Sequence, residues 1–368
     1  MKVLILNYEQ VEEIIMTETG LRACLESLED IYRDYGLGKT ANRTRSHTYI
    51  PLLDQERAEE GRFFYHLKTL DGGSMRGGLL ALRIHSGLLH HFDVAGVPRR
   101  EYYASVETEQ GEKRWLEWVL LFNVQDGRLL AIMPGGLIQS IRVGLTSALG
   151  SKYMAREDAQ SVGLFGAGWQ ARAQLFAHRL VRPIRRVKVY SVRSESRERF
   201  AGEMERLMDI QIQAVNDPKQ VMEGVDLVLA ATTSYEPVFK AEWLAAGMHF
   251  TYIASGEVDM SAVRQADRVA IHTHLGAKNY WTEAGDNPAK RFAERYVEDD
   301  IGRYPQLSDL ILDRYKGRTS PDDVTCFVNN QGTGIQFAAV AGYVYETAKK
   351  RGMGRLEVWD HLLQPTHP

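Results

Sequence analysis

The spacing of apolar positions changes near the middle of the chain. Before about residue 135, Met1 to Asn7 reads as a strand and Glu9 to Tyr35 as a helix. Extended, partly alternating segments follow at Arg43 to Pro51, Gly61 to Leu70, Gly78 to Ile84, Trp115 to Asn123 and Arg128 to Met133. Gly72-Gly73, Gly77-Gly78 and Asp126-Gly127 punctuate them as turns, which predicts a mostly antiparallel α+β unit. Ile138, Ile141, Leu145, Leu149 and Tyr153 then recur at helical spacing and predict one long helix.

Beyond that helix, short apolar runs alternate with helical stretches. Strands are expected at Ser161 to Phe165, Arg186 to Tyr190, Ile210 to Val215, Val225 to Ala231, His249 to Ala254 and Asp267 to Ile271. Helices are expected at Trp169 to Val181 and Ser194 to Asp209. This rhythm predicts an α/β, Rossmann-type doubly wound parallel sheet. Val324 to Val328 reads as a further strand and Ile335 to Lys350 as a helix apolar on nearly every side, stopped by Lys349-Lys350-Arg351-Gly352. Two units are expected: 136–321, and 1–135 completed by 322–368 on the supposition that the chain end returns to the first unit.

The first parallel strand runs into Gly166-Ala167-Gly168-Trp169-Gln170-Ala171, a G-x-G-x-x-A turn that opens a helix. Gly166 permits the turn, Gly168 has no Cβ to obstruct phosphate, and Ala171 lets helix and strand approach. A dinucleotide pyrophosphate fits the free N–H groups at such a helix start. The cofactor-binding set is therefore Gly166, Ala167, Gly168, Trp169, Gln170 and Ala171, with Ser191, Arg193, Ser194, Thr232, Thr233, Ser234 and Ser255 at later strand ends. An acid at the end of the second strand would bind the ribose 2′-hydroxyl of NAD(H). The chain has Ser191-Val192-Arg193-Ser194 and then Arg197, which favours NADP(H); Glu195, the nearest acid, leaves NAD(H) open.

The 368 residues carry a net charge of −3, with 44% hydrophobic and 25% charged side chains. That balance gives no electrostatic reason to expect nucleic acid. The apolar start is too short for a signal peptide and no stretch reaches membrane-spanning length, so the expected compartment is the cytoplasm. Cys24 and Cys326 sit in apolar surroundings and read as buried free thiols.

Together these motifs resemble the ornithine cyclodeaminase/μ-crystallin family. Leu120-Leu121-Phe122 with Asp126-Gly127-Arg128-Leu129-Leu130-Ala131 is similar to the family's hairpin, and Ile141-Arg142-Val143 with Thr146-Ser147-Ala148 to its arginine-bearing helix. Gly163 to Ala171 resembles its G-x-x-G-x-G-x-Q-A. Glu236-Pro237-Val238-Phe239, Glu242-Trp243-Leu244 and Gly247-Met248-His249 resemble a later segment, and Val324 to Phe327 with Gly332 the last. The resemblance implies a homodimer in which the antiparallel unit makes both the dimer contact and the substrate site. It also implies nicotinamide-linked chemistry at a carbon that bears an amino or imino group beside a carboxylate.

Three cationic positions match the family's carboxylate-binding set: Lys68, Arg142, and either Arg43 or Arg45. A guanidinium suits the task because its planar fork meets a carboxylate with two hydrogen bonds. Cyclodeaminases of the family place an aspartate where Gly256 falls here, next to Glu257, and reductases lack it; Glu257 remains a candidate acid/base. Near the end, Phe337 replaces another family acid, and Asn329, Asn330 and Gln331 are candidates for the nicotinamide amide. The stretches 85–114 and 278–304 fit no family expectation, and His85, His90 and His91 of the first, with His47 and His66 upstream, match no metal-ligand spacing. The expected activity is NAD(P)H-dependent reduction of the imine of a 2-oxo acid, on a small carboxylate-bearing imine or amino-acid substrate. Two alternatives stand beside it: an amino-acid dehydrogenase or cyclodeaminase that releases ammonia, and a non-catalytic protein that binds NADP(H) and a small ligand.

Overall fold

The computed structural model describes residues 1–52, 62–94, 97–104, 106–234, 236–254, 256–275, 279–282 and 301–366. Two large sheets organise them. The first has ten strands, with the path Asn279–Thr282, Ser46–Pro51, Arg62–Ser74, Leu79–Val94, Leu116–Asn123, Leu129–Pro134, Lys2–Ile5 and Arg355–Val358. Thr40–Asn42 pairs with Arg62–Ser74, and Val97–Tyr103 pairs with Leu79–Val94. Pairing is antiparallel except where Lys2–Ile5 meets Leu129–Pro134 and where Asn279–Thr282 meets Ser46–Pro51.

The second sheet is parallel throughout, in the order Gln211–Ala214, Arg186–Tyr190, Ser161–Phe165, Leu227–Ala230, His249–Tyr252, Thr325–Val328 and Arg268–Ile271. The expected α/β class is present, with the order reversing next to Ser161–Phe165. That reversal is where a doubly wound sheet opens its ligand crevice.

Two expectations need correction. Thr325–Val328, assigned to the first unit, is an interior strand of the parallel sheet, flanked on both sides and wholly buried. Asn279–Thr282, assigned to the nucleotide unit, extends the ten-stranded sheet. Thr325-Cys326-Phe327-Val328 and Asn279-Tyr280-Trp281-Thr282 are both short strand-prone runs that either sheet accepts, so their sequence does not say which one they join.

The expected single helix over Glu9 to Tyr35 is two, Tyr8–Ile15 and Glu18–Gly36. Thr17 breaks it: its hydroxyl accepts from the Gly20 N–H at 2.9 Å and caps the second helix. Gly136–Met154 is nearly all buried, and the final helix Gly334–Arg351 ends at Gly352 in the left-handed conformation. Both helices, with Glu18–Gly36, fill one core against the inner face of the ten-stranded sheet. Cys24 and Cys326 are buried free thiols. No helix among the described residues is long and apolar enough to cross a membrane.

Candidate active site

The turn after Ser161–Phe165 can be built only with glycine at its first position. Gly166 has φ of +108°, and a Cβ there would lie 2.3 Å from the Ala231 carbonyl oxygen. Its N–H donates to the Tyr190 carbonyl at 2.9 Å, which ties the turn to the neighbouring strand. Gly168 starts the helix Trp169–Val181 without a side-chain cap, so the first N–H groups of the helix are left to whatever enters the crevice. Ala171 is fully buried, Ala167 and Gln170 are half-buried, and Trp169 is largely exposed. A bare main-chain cradle beside a helix start fits a dinucleotide pyrophosphate.

At the end of the second strand, Ser191 is half-buried while Arg193 and Ser194 are exposed at the start of the helix Ser194–Met208. Arg197 does not join them. Its guanidinium turns inward, donating to the Ser191 carbonyl at 2.8 Å and to the Asn216 side chain at 2.5 Å. It braces the strand end, so only Arg193 of the two expected arginines is presented outward.

Glu257 also differs from expectation. It is fully buried, and both oxygens are engaged: one accepts from the Thr232 N–H and hydroxyl, the other from the N–H groups of Ile253 (3.1 Å) and Ala254 (2.9 Å). Burial raises its pKa despite these donors. The carboxylate ties together the loops that follow two adjacent parallel strands, a bracing job rather than that of an accessible acid. Thr233 is exposed, and Ser234 N–H donates to the Thr232 hydroxyl at 3.1 Å. Ser255 lies outside the described residues.

The cationic residues converge on the inner face of the ten-stranded sheet, under the helix Gly334–Arg351. Arg142, from the buried helix Gly136–Met154, is 3% exposed. Its Nη1 donates to Gln336 and its Nη2 to Gln139, each at 2.7 Å, while Nε has no partner. Gly332 makes room for it, since a Cβ there would lie 2.6 Å from the guanidinium nitrogens. Burial, then the charge of Arg83, lowers the Arg142 pKa to about 9; Arg45 pushes the same way, against Tyr32 and Glu117. Arg142 thus meets amide carbonyls but no carboxylate through its own hydrogen bonds.

Lys68 is half-buried in the centre of Arg62–Ser74. It stands in a cross-strand row, one residue per strand: His47, Lys68, His85 and Glu117. Arg43 is exposed at the rim, where its Nε donates to Asp71 at 2.8 Å. Arg45 is half-buried and acts electrostatically on Arg142. Of the two alternatives, Arg45 is the one grouped with the buried cluster.

Three members of this cluster escaped the sequence reading as site residues. Arg83, on Leu79–Val94, is 2% exposed and holds Glu117 through Nε (2.9 Å) and Nη2 (2.8 Å). Burial alone would raise the Glu117 pKa, but the charges of Arg83 and Lys68, with bonds from His85 and Arg83, hold it at about 2. His85 lies 3.4 Å from the other Glu117 oxygen, and burial lowers its pKa. The available signal was the alternation Ala81, Arg83, His85, Gly87, Leu89: an arginine and a histidine share the parity of small and apolar residues that face a core.

The loop expected to meet the nicotinamide amide is otherwise engaged. The Asn329 amide donates to Val143 carbonyl and Ser147, Asn330 bonds Thr273, and the Gln331 amide donates to Leu275. The insertion after residue 85 is a continuation of Leu79–Val94 that turns back as Val97–Tyr103. Its rings extend the site face, with Tyr102 tilted 5.7 Å from His66. No group of three or more metal-ligating side chains is gathered among the described residues. Of 278–304, all but 279–282 and 301–304 lies outside the described residues.

The model of the ornithine cyclodeaminase/μ-crystallin family matches residues 88–352. The chain belongs to that family. It is similar to an alanine dehydrogenase of Archaeoglobus fulgidus, with 27% identity over 96% of this chain and 98% of that one. Among solved structures it is similar to the Thermococcus litoralis Δ1-pyrroline-2-carboxylate reductase in complex with NADH and L-proline: TM-score 0.74, 26% identity, 96% of this chain and 99% of that one. An archaeal alanine dehydrogenase dimer with bound NAD has the same fold, with TM-score 0.73 at 24% identity over 98% of this chain and all of the other. These family relatives are nicotinamide-linked imine reductases and amino-acid dehydrogenases.

Proposed function

We propose that this protein is an NAD(P)H-dependent reductase that converts the imine of a 2-oxo acid to an amino acid. The observation that carries the reading is Arg142: a guanidinium buried with amide partners only, in a cationic cluster against a fold that carries a dinucleotide cradle. Arg142, Lys68 and Arg45 hold the substrate carboxylate, and that grip orients the imine carbon. A bound nicotinamide supplies the hydride. The buried face excludes water from the reacting atoms. With both Glu257 oxygens engaged, Lys68 is the group assigned to the proton at the substrate nitrogen, in a row with His85 and Glu117.

The cofactor reading is NADP(H), supported by the absence of an acid at position 191 and by exposed Arg193; inward-facing Arg197 no longer counts toward it. The reading includes a cytoplasmic homodimer. The homodimer is supported by the outer face of the ten-stranded sheet, where Leu82, Ile84 and Leu120 are half-buried and Trp118 is exposed. The nucleotide unit is taken as residues 136–321 without Asn279–Thr282 and with Thr325–Val328 added.

The test is oxidation of NADPH and NADH by purified protein, with cyclic ketimine carboxylates and with 2-oxo acids plus ammonia or simple amines. Turnover without ammonia release is expected. Tight cofactor binding with no turnover on any of these would overturn the reading in favour of a binding protein.

A further inference from the structure

We infer that the substrate carries a second anionic group, a carboxylate on its side chain, and that Arg83 receives it; this rests on the reductase reading above. A single carboxylate needs one buried guanidinium, and Arg142 supplies it. Arg83 is a second, equally buried, on a different element. Both stand over the same ring, their guanidinium carbons 5.3 Å (Arg142) and 5.8 Å (Arg83) from the centre of Phe337. Phe337 is itself fully buried, so the ring holds the two cations at fixed positions rather than leaving them to solvent.

The hydrogen-bond inventory points the same way. Glu117 occupies only the Nε and Nη2 edge of Arg83. Nη1 is buried and has no partner, and the same is true of Arg142 Nε. Each guanidinium therefore keeps at least one buried N–H donor after its protein partners are served. Such donors are costly to bury unless something accepts from them. Were Arg83 only the counter-charge of Glu117, a lysine would meet that need, whereas the planar fork offers one edge to Glu117 and a second to another oxygen. Arg83, Arg142 and Lys68 stand against the one carboxylate of Glu117, so the setting is cationic even with His85 held toward its neutral form by burial and by Lys68 and Arg83. A dicarboxylic imine suits this arrangement better than an alkyl one.

The experiment compares kcat/KM for oxaloacetate and 2-oxoglutarate with that for pyruvate and 2-oxobutyrate, each with ammonia and reduced cofactor. Wild type is expected to prefer the diacids by tenfold or more. Arg83→Met combined with Glu117→Gln removes both charges of this ion pair together, so neither partner is left buried without the other. That variant is expected to lower the diacid-to-monoacid ratio by roughly a hundredfold, mostly through KM. Arg83→Lys should restore part of the ratio. Wild-type preference for monoacids, or an equal loss on both classes in the double variant, would overturn the inference and make Arg83 a partner of Glu117 alone. If no 2-oxo acid or ketimine turns over, the reductase reading falls instead. Calorimetry of succinate against propionate on cofactor-loaded protein then decides Arg83 separately. Tighter succinate binding, lost in the double variant, supports it; equal binding overturns it.

Discussion

The two halves of the site are made of different material. The nucleotide crevice is main chain: a turn at Gly166, a bare helix start at Gly168, and loops tied by the carboxylate of Glu257. The cationic face is side chain: Arg142 from a helix, Lys68, Arg83 and Glu117 from three strands, and Phe337 from a helix near the other end of the chain. A main-chain site depends on where the backbone can go and is nearly indifferent to charge. A side-chain site depends on charge balance in a buried setting, where each deletion strands a partner.

That contrast can be broken or sharpened by substitution. The largest effect is expected at Gly166. Gly166→Val would force a β-branched residue to φ of +108° and set its Cβ 2.3 Å from the Ala231 oxygen. Loss of measurable NAD(P)H binding by fluorescence titration is expected, and near-normal affinity would remove the main-chain argument. Next is Arg142→Met, which leaves the crevice untouched. It should lower kcat/KM by roughly a hundredfold to a thousandfold, matching the ~3–4 kcal/mol lost when one side of a buried charge pair is removed, with cofactor affinity retained. A parallel loss of cofactor affinity would show that the halves are not separable.

A third effect concerns stability and separates charged from neutral buried groups. His178 and His272 have pKa values lowered by burial to about 4 and about 3, and His249 is lowered well below its ordinary 6.5. A depressed imidazole is neutral in the fold and takes up a proton more readily when unfolded. The stability that these groups contribute is therefore complete above pH 6.5 and is lost as pH falls toward 4. Each adds a slope of up to about 1.4 kcal/mol per pH unit. Glu117 acts in a lower window: its carboxylate, held at about 2, contributes fully above its ordinary 4.5 and is lost as pH falls toward 2. Denaturant unfolding between pH 7.5 and 4.5 should show the imidazole slope; a flat profile would contradict the burial of three neutral histidines. The smallest effect is at the crevice rim. Arg193→Ser should shift the NADPH-to-NADH preference by roughly tenfold through loss of a charge-assisted contact. No shift in the ratio of dissociation constants would leave the 2′-phosphate without a protein partner at this position.

The same division explains what could be read from the chain. The Gly166 turn, its parallel strands and the long arginine helix were legible because each is a local pattern. Lys68 and Arg142 were singled out through family motifs, and the fold sets both beside Glu117. Arg83 was not, because its importance arises from Phe337, which lies 254 positions later and reaches it only through the fold. Arg197 and Glu257 were placed in the right neighbourhood, but a side chain's direction is decided by acceptors and donors such as Asn216 and Ala254 that no spacing rule names. Thr325–Val328 was recognised as a strand and given to the wrong sheet, since a short, wholly buried strand carries no address in its sequence.

That strand has a consequence for how the molecule is made. Among the described residues, Arg268–Ile271 has no sheet neighbour except Thr325–Val328, and His249–Tyr252 has one open side until it arrives. As the chain leaves the ribosome, the parallel sheet can assemble only to His249–Tyr252, with an unpaired apolar edge and a detached final strand. About fifty residues later, Thr325–Val328 slots between the two, and the helix behind it seals the core of the other sheet. Synthesis interrupted before residue 325 therefore leaves a sticky edge rather than a smaller stable protein, and such chains are expected in aggregates and not in the soluble fraction.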